Sequence, residues 1–141
     1  MTAIVDAAPL VALADRADRL HESVTRVLRS EPGRLIVPAP VTAEVDYLLG
    51  VRLGRAARLA FLDDLSAGRF EVGCLETADH RTVRQLEEQY ESLGPGLADL
   101  SIVVLAARWG TQRVVTFDER HFRTIRPLDG APAFVLLPAD E

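Results

Sequence analysis

Short apolar runs alternate along the chain with longer segments of helical spacing. The runs, rich in Val, Ile and Phe, predict strands over residues 3–6, 35–38, 70–75, 113–117 and 133–137. The segments between them predict helices over residues 8–14, 18–30, 42–53, 55–67, 78–93 and 98–109. In the helix over 78–93, for example, Val83, Leu86, Tyr90 and Leu93 recur every three or four residues, which is the spacing of one helical face.

Strands separated by helices indicate a parallel sheet covered by helices, so the predicted fold class is α/β. The chain contains no internal repeat, low-complexity tract or Ser/Gly-rich linker. Its 141 residues suit one compact unit. We therefore predict a single domain over residues 1–141.

The basic residues exclude several reaction classes, because all 16 are arginine and the chain has no lysine. A P-loop needs a lysine on its phosphates, and Schiff-base and pyridoxal enzymes need a lysine amine. The 21 acidic residues give a net charge of 16 − 21 = −5. Phosphate binding by such a chain must therefore depend on local arginines or on a metal ion.

Two further features bear on the compartment. The single cysteine, Cys74, excludes a disulfide framework and a cysteine-based zinc site, and its place in a predicted strand suggests a small core residue. The apolar N-terminal stretch carries Asp6 and lacks a basic segment, so it does not resemble a signal peptide, and no apolar run is long enough to span a membrane. We expect a cytoplasmic protein.

Four acidic residues are predicted to meet at one edge of the sheet. Asp6 ends the first strand and Asp118 follows the fourth, while Glu44 and Asp99 lie in the first turns of two helices. Thr42 is the predicted N-cap of the helix that carries Glu44. The carboxyl ends of parallel strands and the N-termini of the following helices lie at the same edge, where α/β proteins bind their ligands.

Each of these acids also has a purely structural interpretation, as a helix cap or as a charge favoured by the helix dipole. Their convergence is harder to explain in that way. Two carboxylates about 5 Å apart repel by roughly 3 kcal/mol at an effective dielectric constant of 20. A fold tolerates several such pairs if some groups are protonated or a cation lies among them, and oxygen ligands suit Mg²⁺ or Mn²⁺.

Four segments together resemble a known family. I-V-D at the N-terminus, V-T-A-E-V-D-Y-L-L, L-A-D-L-S-I-V-V-L-A and V-V-T-F-D-E-R-H-F follow the order and approximate spacing of a PIN domain, between Asp6 and Arg126. The whole chain resembles the VapC-type ribonuclease toxins of bacterial toxin–antitoxin pairs. The resemblance implies a PIN-like three-layer fold, with a central parallel sheet of about five strands and helices on both faces.

The resemblance also implies a Mg²⁺-dependent endoribonuclease, with Mn²⁺ as the alternative ion, whose catalytic residues are Asp6, Glu44, Asp99 and Asp118. In such a site Asp6 and Asp99 would bind the metal directly and Asp118 would complete the metal ligands, while Glu44 would position water or a second ion. Thr116 is a supporting candidate, because its hydroxyl is placed to orient a carboxylate or a water molecule. PIN sequences often carry Thr or Ser after the first aspartate, where this chain has Ala7.

The substrate and partners follow from the same resemblance. An RNA substrate needs positive charge near the site, and Arg120 and Arg123 lie just beyond Asp118, although solvated arginines are an equal alternative. His121 lies within reach of a substrate, but the adjacent Phe122 favours a packed turn. The family relationship further implies a cognate VapB-type antitoxin and a homodimer, without membrane association.

Two other functions remain open at this point. A catalytically inactive PIN-fold module that binds RNA or a protein is one alternative, and the presence of all four carboxylates argues against it. A metal-dependent phosphatase or DNA nuclease on the same scaffold is the other, and it would keep the site but change the substrate.

Overall fold

The computed structural model describes residues 1–141 and contains five strands and seven helices. The strands are β1 (Thr2–Val5), β2 (Arg34–Pro38), β3 (Glu71–Gly73), β4 (Arg113–Val115) and β5 (Val135–Leu137). The helices are α1 (Ala7–Ala14), α2 (His21–Ser30), α3 (Ala39–Arg52), α4 (Arg55–Ser66), α5 (Asp79–Gln89), α6 (Gly96–Arg108) and α7 (Glu119–Thr124).

All five strands form one parallel sheet in the order β3-β2-β1-β4-β5, which confirms the predicted α/β class. β1 is central, with Ile4 in register with Ile36 of β2 and Val114 of β4. These three side chains are fully buried, as expected for parallel strands that helices cover. Because every strand runs in the same direction, all five carboxyl ends lie at one edge of the sheet.

Helix α6 is the most buried of the helices. Every residue from Leu100 to Ala106 is inaccessible or nearly so, as in a helix that is apolar around its whole circumference. It contacts β1, β2 and β4, and α5 packs beside it. None of the helices is long and apolar enough to cross a membrane.

One predicted helix boundary is wrong in a way that bears on the acidic residues. Helix α3 begins at Ala39, with Pro38 at the N-cap position and Pro40 inside the first turn. Proline is compatible with a first turn because the amide it lacks has no helical partner there. Thr42 is therefore not the N-cap; its hydroxyl donates to the Ala39 carbonyl at 2.6 Å, and Glu44 lies in the second turn.

Three other details differ from the sequence prediction. Helix α5 ends at Gln89, so Tyr90 is its C-cap residue and Leu93 lies beyond it. Strand β3 is at the sheet edge, and its pairing with β2 ends at Gly73, so the Cys74 thiol is exposed and not part of the core. Helix α7 was not predicted, because six residues are too few to show a helical period. Tyr90 and Trp109 pack against the core, as expected.

Candidate active site

Asp6 lies where β1 passes into α1, and it is 8% exposed. Its Oδ1 accepts a hydrogen bond from the Ala7 amide at 2.8 Å and caps α1, while its Oδ2 accepts from the Thr116 hydroxyl at 2.7 Å. Burial raises the pKa of Asp6, and these two hydrogen bonds oppose the shift. The buried carboxylate is thus held in one orientation from two sides.

Thr116 and Asp118 follow β4, beside β1 in the sheet. The Thr116 oxygen, besides donating to Asp6, accepts from the Asp118 amide at 3.0 Å. Asp118 is the N-cap of α7, because its Oδ1 accepts from the His121 amide at 2.9 Å. Thr116 therefore links the Asp6 carboxylate at the end of β1 to the backbone amide of Asp118 after β4.

Asp99 comes from the first turn of α6. Gly94 precedes this helix and Gly96 begins it, and their φ angles of 57° and 81° favour glycine. The N-cap residue of α6, Pro95, offers no side-chain hydrogen bond. Instead, the Glu87 carboxylate of α5 accepts from the Gly96 amide at 2.5 Å, so α5 fixes the start of the helix that carries Asp99.

The pKa values of Asp99 and Glu44 both respond to the charge of Asp6. Burial raises the pKa of Asp99 to about 6, and the charges of Asp6 and Asp118 raise it further, against the effect of His121. Glu44 is exposed at the outer side of the group, yet partial desolvation and the charge of Asp6 raise its pKa. Asp6, Asp99 and Asp118 thus lie within electrostatic reach of one another, whereas Glu44 responds to Asp6 alone.

His121 also belongs to this cluster, although the sequence favoured a packed turn at this position. Its Nδ1 lies 2.5 Å from Asp99 Oδ2 and 2.9 Å from Asp118 Oδ2. The potential ligand atoms of Asp99, Asp118 and His121 all lie within 4.8 Å of one another. The spacing of Asp118 and His121 in the sequence is one signal for this contact. A side chain three positions after an N-cap residue can reach back toward that residue, as in a capping box. Of the two adjacent residues His121 and Phe122, only Phe122 is buried in the core.

The two selected arginines differ in their surroundings. Arg120 is exposed on α7 and makes no ion pair. Arg123 contacts Asp140 at 2.7 Å and Glu119 at 3.1 Å, and these two carboxylates raise its pKa. Only the Arg120 guanidinium is therefore free to bind a phosphate without leaving another partner.

Comparison with known proteins agrees with this geometry. The sequence profile described as "PIN domain" matches residues 3–126. The chain belongs to the PIN domain family. It is 35% identical over 135 residues to ribonuclease VapC26 of Mycobacterium tuberculosis, covering 96% of this chain and 99% of that protein. The relationship places this PIN domain among the VapC ribonucleases, as the sequence motifs suggested.

Two solved structures share its fold at lower sequence identity. The sarcin–ricin loop cleaving toxin VapC20 of M. tuberculosis superposes with a TM-score of 0.76 and 20% identity, over 82% of this chain and 89% of that chain. VapBC2 of Rickettsia felis, solved with a DNA fragment of its promoter, gives 0.67 and 19%, over 96% and 97%. Both comparisons support the PIN-like architecture.

PIN domains are metal-dependent nucleases, and the donor atoms of this chain fit that requirement. Burial and the charges of Asp6 and Asp118 raise the pKa of Asp99, and a divalent cation near these carboxylates would offset their negative charge. The donors are oxygen atoms except for the His121 ring, and carboxylate oxygen suits Mg²⁺ and Mn²⁺. Asp99, Asp118 and His121 are the residues whose potential ligand atoms lie close enough together to hold one such ion.

Proposed function

We propose that this protein is a Mg²⁺-dependent endoribonuclease that acts as a VapC-type toxin, with Asp6, Glu44, Asp99 and Asp118 as its catalytic residues. The convergence of four carboxylates from β1, α3, α6 and the end of β4 carries the proposal, in a chain that is 35% identical over nearly its full length to a ribonuclease. We also propose that residues 1–141 act as one domain, because one sheet unites elements from both ends of the chain.

The acidic residues divide into two roles in this proposal, cation binding and orientation of the attacking water. When bound, a divalent cation activates a water molecule and offsets the negative charge that develops on the phosphate. Asp6, Asp99 and Asp118 would hold the cation, with Mn²⁺ as an alternative to Mg²⁺. Glu44 is exposed to solvent, and it would orient the attacking water or hold a second ion. Thr116 keeps the Asp6 carboxylate turned toward the site.

RNA binding would involve Arg120 first. Its unpaired guanidinium extends from α7, the helix that Asp118 caps, so it is close to the reacting phosphate. Arg123 would contribute a phosphate contact only by releasing Asp140 or Glu119.

The direct test compares cleavage of RNA by the native protein and by Asp6→Ala and Asp99→Asn, with Mg²⁺ and with EDTA. We expect cleavage by the native protein in Mg²⁺ only, and a loss of at least about a hundredfold in both variants, because each removes a cation ligand. Asp63→Asn is the matched control, since Asp63 is an exposed acid on α4.

Two outcomes would contradict this function. If the native protein binds RNA but never cleaves it, the chain is an inactive binding module. If it hydrolyses single-stranded DNA or p-nitrophenyl phosphate as fast as RNA, its substrate class is different.

The partners belong to the same proposal. A VapB-type antitoxin would neutralise the toxin, and an apolar pocket of about 150 Å³ between α1, α3 and α4 is where a partner segment would dock. We expect a cytoplasmic homodimer. Co-expression with the product of the adjacent reading frame should relieve growth arrest, and light scattering of the purified toxin should give twice the chain mass.

A further inference from the structure

The His121 ring occupies a position inside the acidic cluster that the proposed reaction does not explain. Helix α7 begins after Asp118, and His121 is its third residue, so the ring turns back over the helix N-terminus. Its side chain is 15% exposed, and its Nδ1 lies between Asp99 and Asp118. One nitrogen atom thus contacts two of the three residues expected to hold the cation.

The carboxylate oxygens show what this contact implies. Asp118 Oδ1 accepts from the His121 backbone amide, which is the capping bond of α7. Asp118 Oδ2 and Asp99 Oδ2 are both within hydrogen-bond distance of the His121 ring. Asp118 therefore uses Oδ1 to cap the helix, and its Oδ2 is the oxygen that the His121 ring contacts. A cation held by these oxygens of Asp99 and Asp118 would have to replace the ring nitrogen that contacts them.

We propose that the His121 imidazole competes with the divalent cation for Asp99 and Asp118, so that its departure is part of cation binding. The proposal rests on the proposed function, because it takes Asp99 and Asp118 as cation ligands. In the absence of the cation, the ring nitrogen lies between the carboxylate oxygens of Asp99 and Asp118, which would otherwise repel each other in a partly buried site. Cation binding would then replace the hydrogen bond between the ring and Asp99, and the affinity would be lower by the strength of that hydrogen bond.

Mn²⁺ binding without RNA tests this competition. The free Mn²⁺ signal in electron paramagnetic resonance gives the dissociation constant at one fixed neutral pH, for the native protein and for His121→Phe. Phenylalanine keeps a ring at this position but removes both nitrogens. We expect His121→Phe to bind Mn²⁺ about tenfold more tightly, since a hydrogen bond to a charged group corresponds to roughly that factor.

Two further variants serve as controls. His80→Phe should leave the dissociation constant unchanged, because His80 is exposed on α5 and its ring contacts only the Glu76 and Thr77 carbonyls. His121→Ala removes the ring entirely and should also tighten binding; it keeps the test valid if the phenylalanine variant does not fold. Circular dichroism shows which variants are folded.

Equal or weaker Mn²⁺ binding by folded His121 variants would overturn the competition, and weaker binding would make His121 a ligand or a positioning residue. RNA cleavage is measured separately, so the two proposals fail in different ways. If RNA is cleaved but the His121 variants bind Mn²⁺ no more tightly, only the competition is wrong. If Mn²⁺ binds and the variants bind it more tightly but RNA is not cleaved, only the proposed function is wrong.

Discussion

Asp99 shows how acidic residues gathered in a partly buried site lower the stability of the folded protein. Its ordinary pKa is 3.8, and burial together with the charges of Asp6 and Asp118 raises it to about 6. Between these two values the folded protein binds a proton that the unfolded chain has released. The stability contributed by protonated Asp99 is complete below the unfolded value and is lost as the pH rises through about 6.

Asp99→Asn should therefore stabilise the cation-free protein at neutral pH, because asparagine keeps the shape without the charge. We expect an increase of about 1 kcal/mol in the free energy of unfolding, less than the full pKa shift implies because the carboxylate is partly solvated. Thermal melting in EDTA across the acidic and neutral range measures it. The advantage should vanish below about pH 3, where Asp99 is protonated in the folded protein and in the unfolded chain. An asparagine variant that melts below the native protein at neutral pH would contradict this account.

Individual site residues could be predicted only where their position follows from the backbone. Asp6 and Asp118 end apolar strands, and the carboxyl ends of parallel strands coincide, so their meeting was evident from the pattern. His121 was not predicted to join them, because its neighbour Phe122 fits a packed turn equally well. Which of two adjacent side chains enters the core depends on the start of α7, and a six-residue helix leaves no periodic signal.

At the scale of elements, the prediction succeeded for the sheet and was less accurate at its margins. Parallel strands buried on both faces are continuous apolar runs, and all five were found. Cys74 was misplaced because strand pairing stops at Gly73 on the sheet edge, which no local pattern marks. Helix α3 begins three residues before the predicted start. The sequence pattern assigns Pro40 to the preceding loop, whereas Pro40 lies in the first turn of the helix.

The contact between α5 and α6 yields a prediction at this scale. Glu87→Ala removes the acceptor for the Gly96 amide, so the first turn of α6 should fray and Asp99 should lose its fixed position. We expect a loss of about 1 kcal/mol in stability, typical of a helix cap, and weaker Mn²⁺ binding. Hydrogen exchange at the Gly96 amide should become faster.

Two variants distinguish this capping role from a general effect of charge. Glu87→Gln retains a side-chain oxygen acceptor and should recover most of the stability. Glu88→Ala removes an adjacent acid that pairs only with Arg84 on the same helix, and it should change neither Mn²⁺ affinity nor exchange at Gly96. Equal effects of Glu87→Ala and Glu88→Ala would argue against the cap.

For the whole molecule, the central question is how a protein with a net charge of −5 attracts a polyanion. Most of its arginines are dispersed, and several pair with acids, as Arg113 does with buried Glu31 at 2.9 Å and Arg58 with Asp46 at 3.0 Å. Attraction of RNA must then depend on a few free guanidinium groups near the site and on the bound cation. Arg120 is the free group closest in sequence to Asp118.

Arg120→Ala should weaken RNA binding and lower the slope of log affinity against log salt concentration by about 1, the change expected for one lost phosphate contact. Filter binding by the Asp99→Asn variant, at several salt concentrations, measures this without cleavage. Arg123→Ala should leave the slope unchanged, since its guanidinium is held by Asp140 and Glu119. Arg84→Ala on α5 is the control for a change in overall charge. If Arg120→Ala leaves the slope unaltered, this arginine does not contact the RNA.

The exposed thiol of Cys74 allows the protein to be labelled at a single site. It is the chain's single cysteine, so a maleimide reagent will attach one spectroscopic label at one place. That place follows β3 at the carboxyl edge of the sheet, two strands away from β1, which is roughly 10–15 Å from Asp6 by the ordinary spacing of strands. A nitroxide or fluorophore there would sense a paramagnetic ion or a nucleic acid arriving at the acidic residues, while leaving every one of them unmodified.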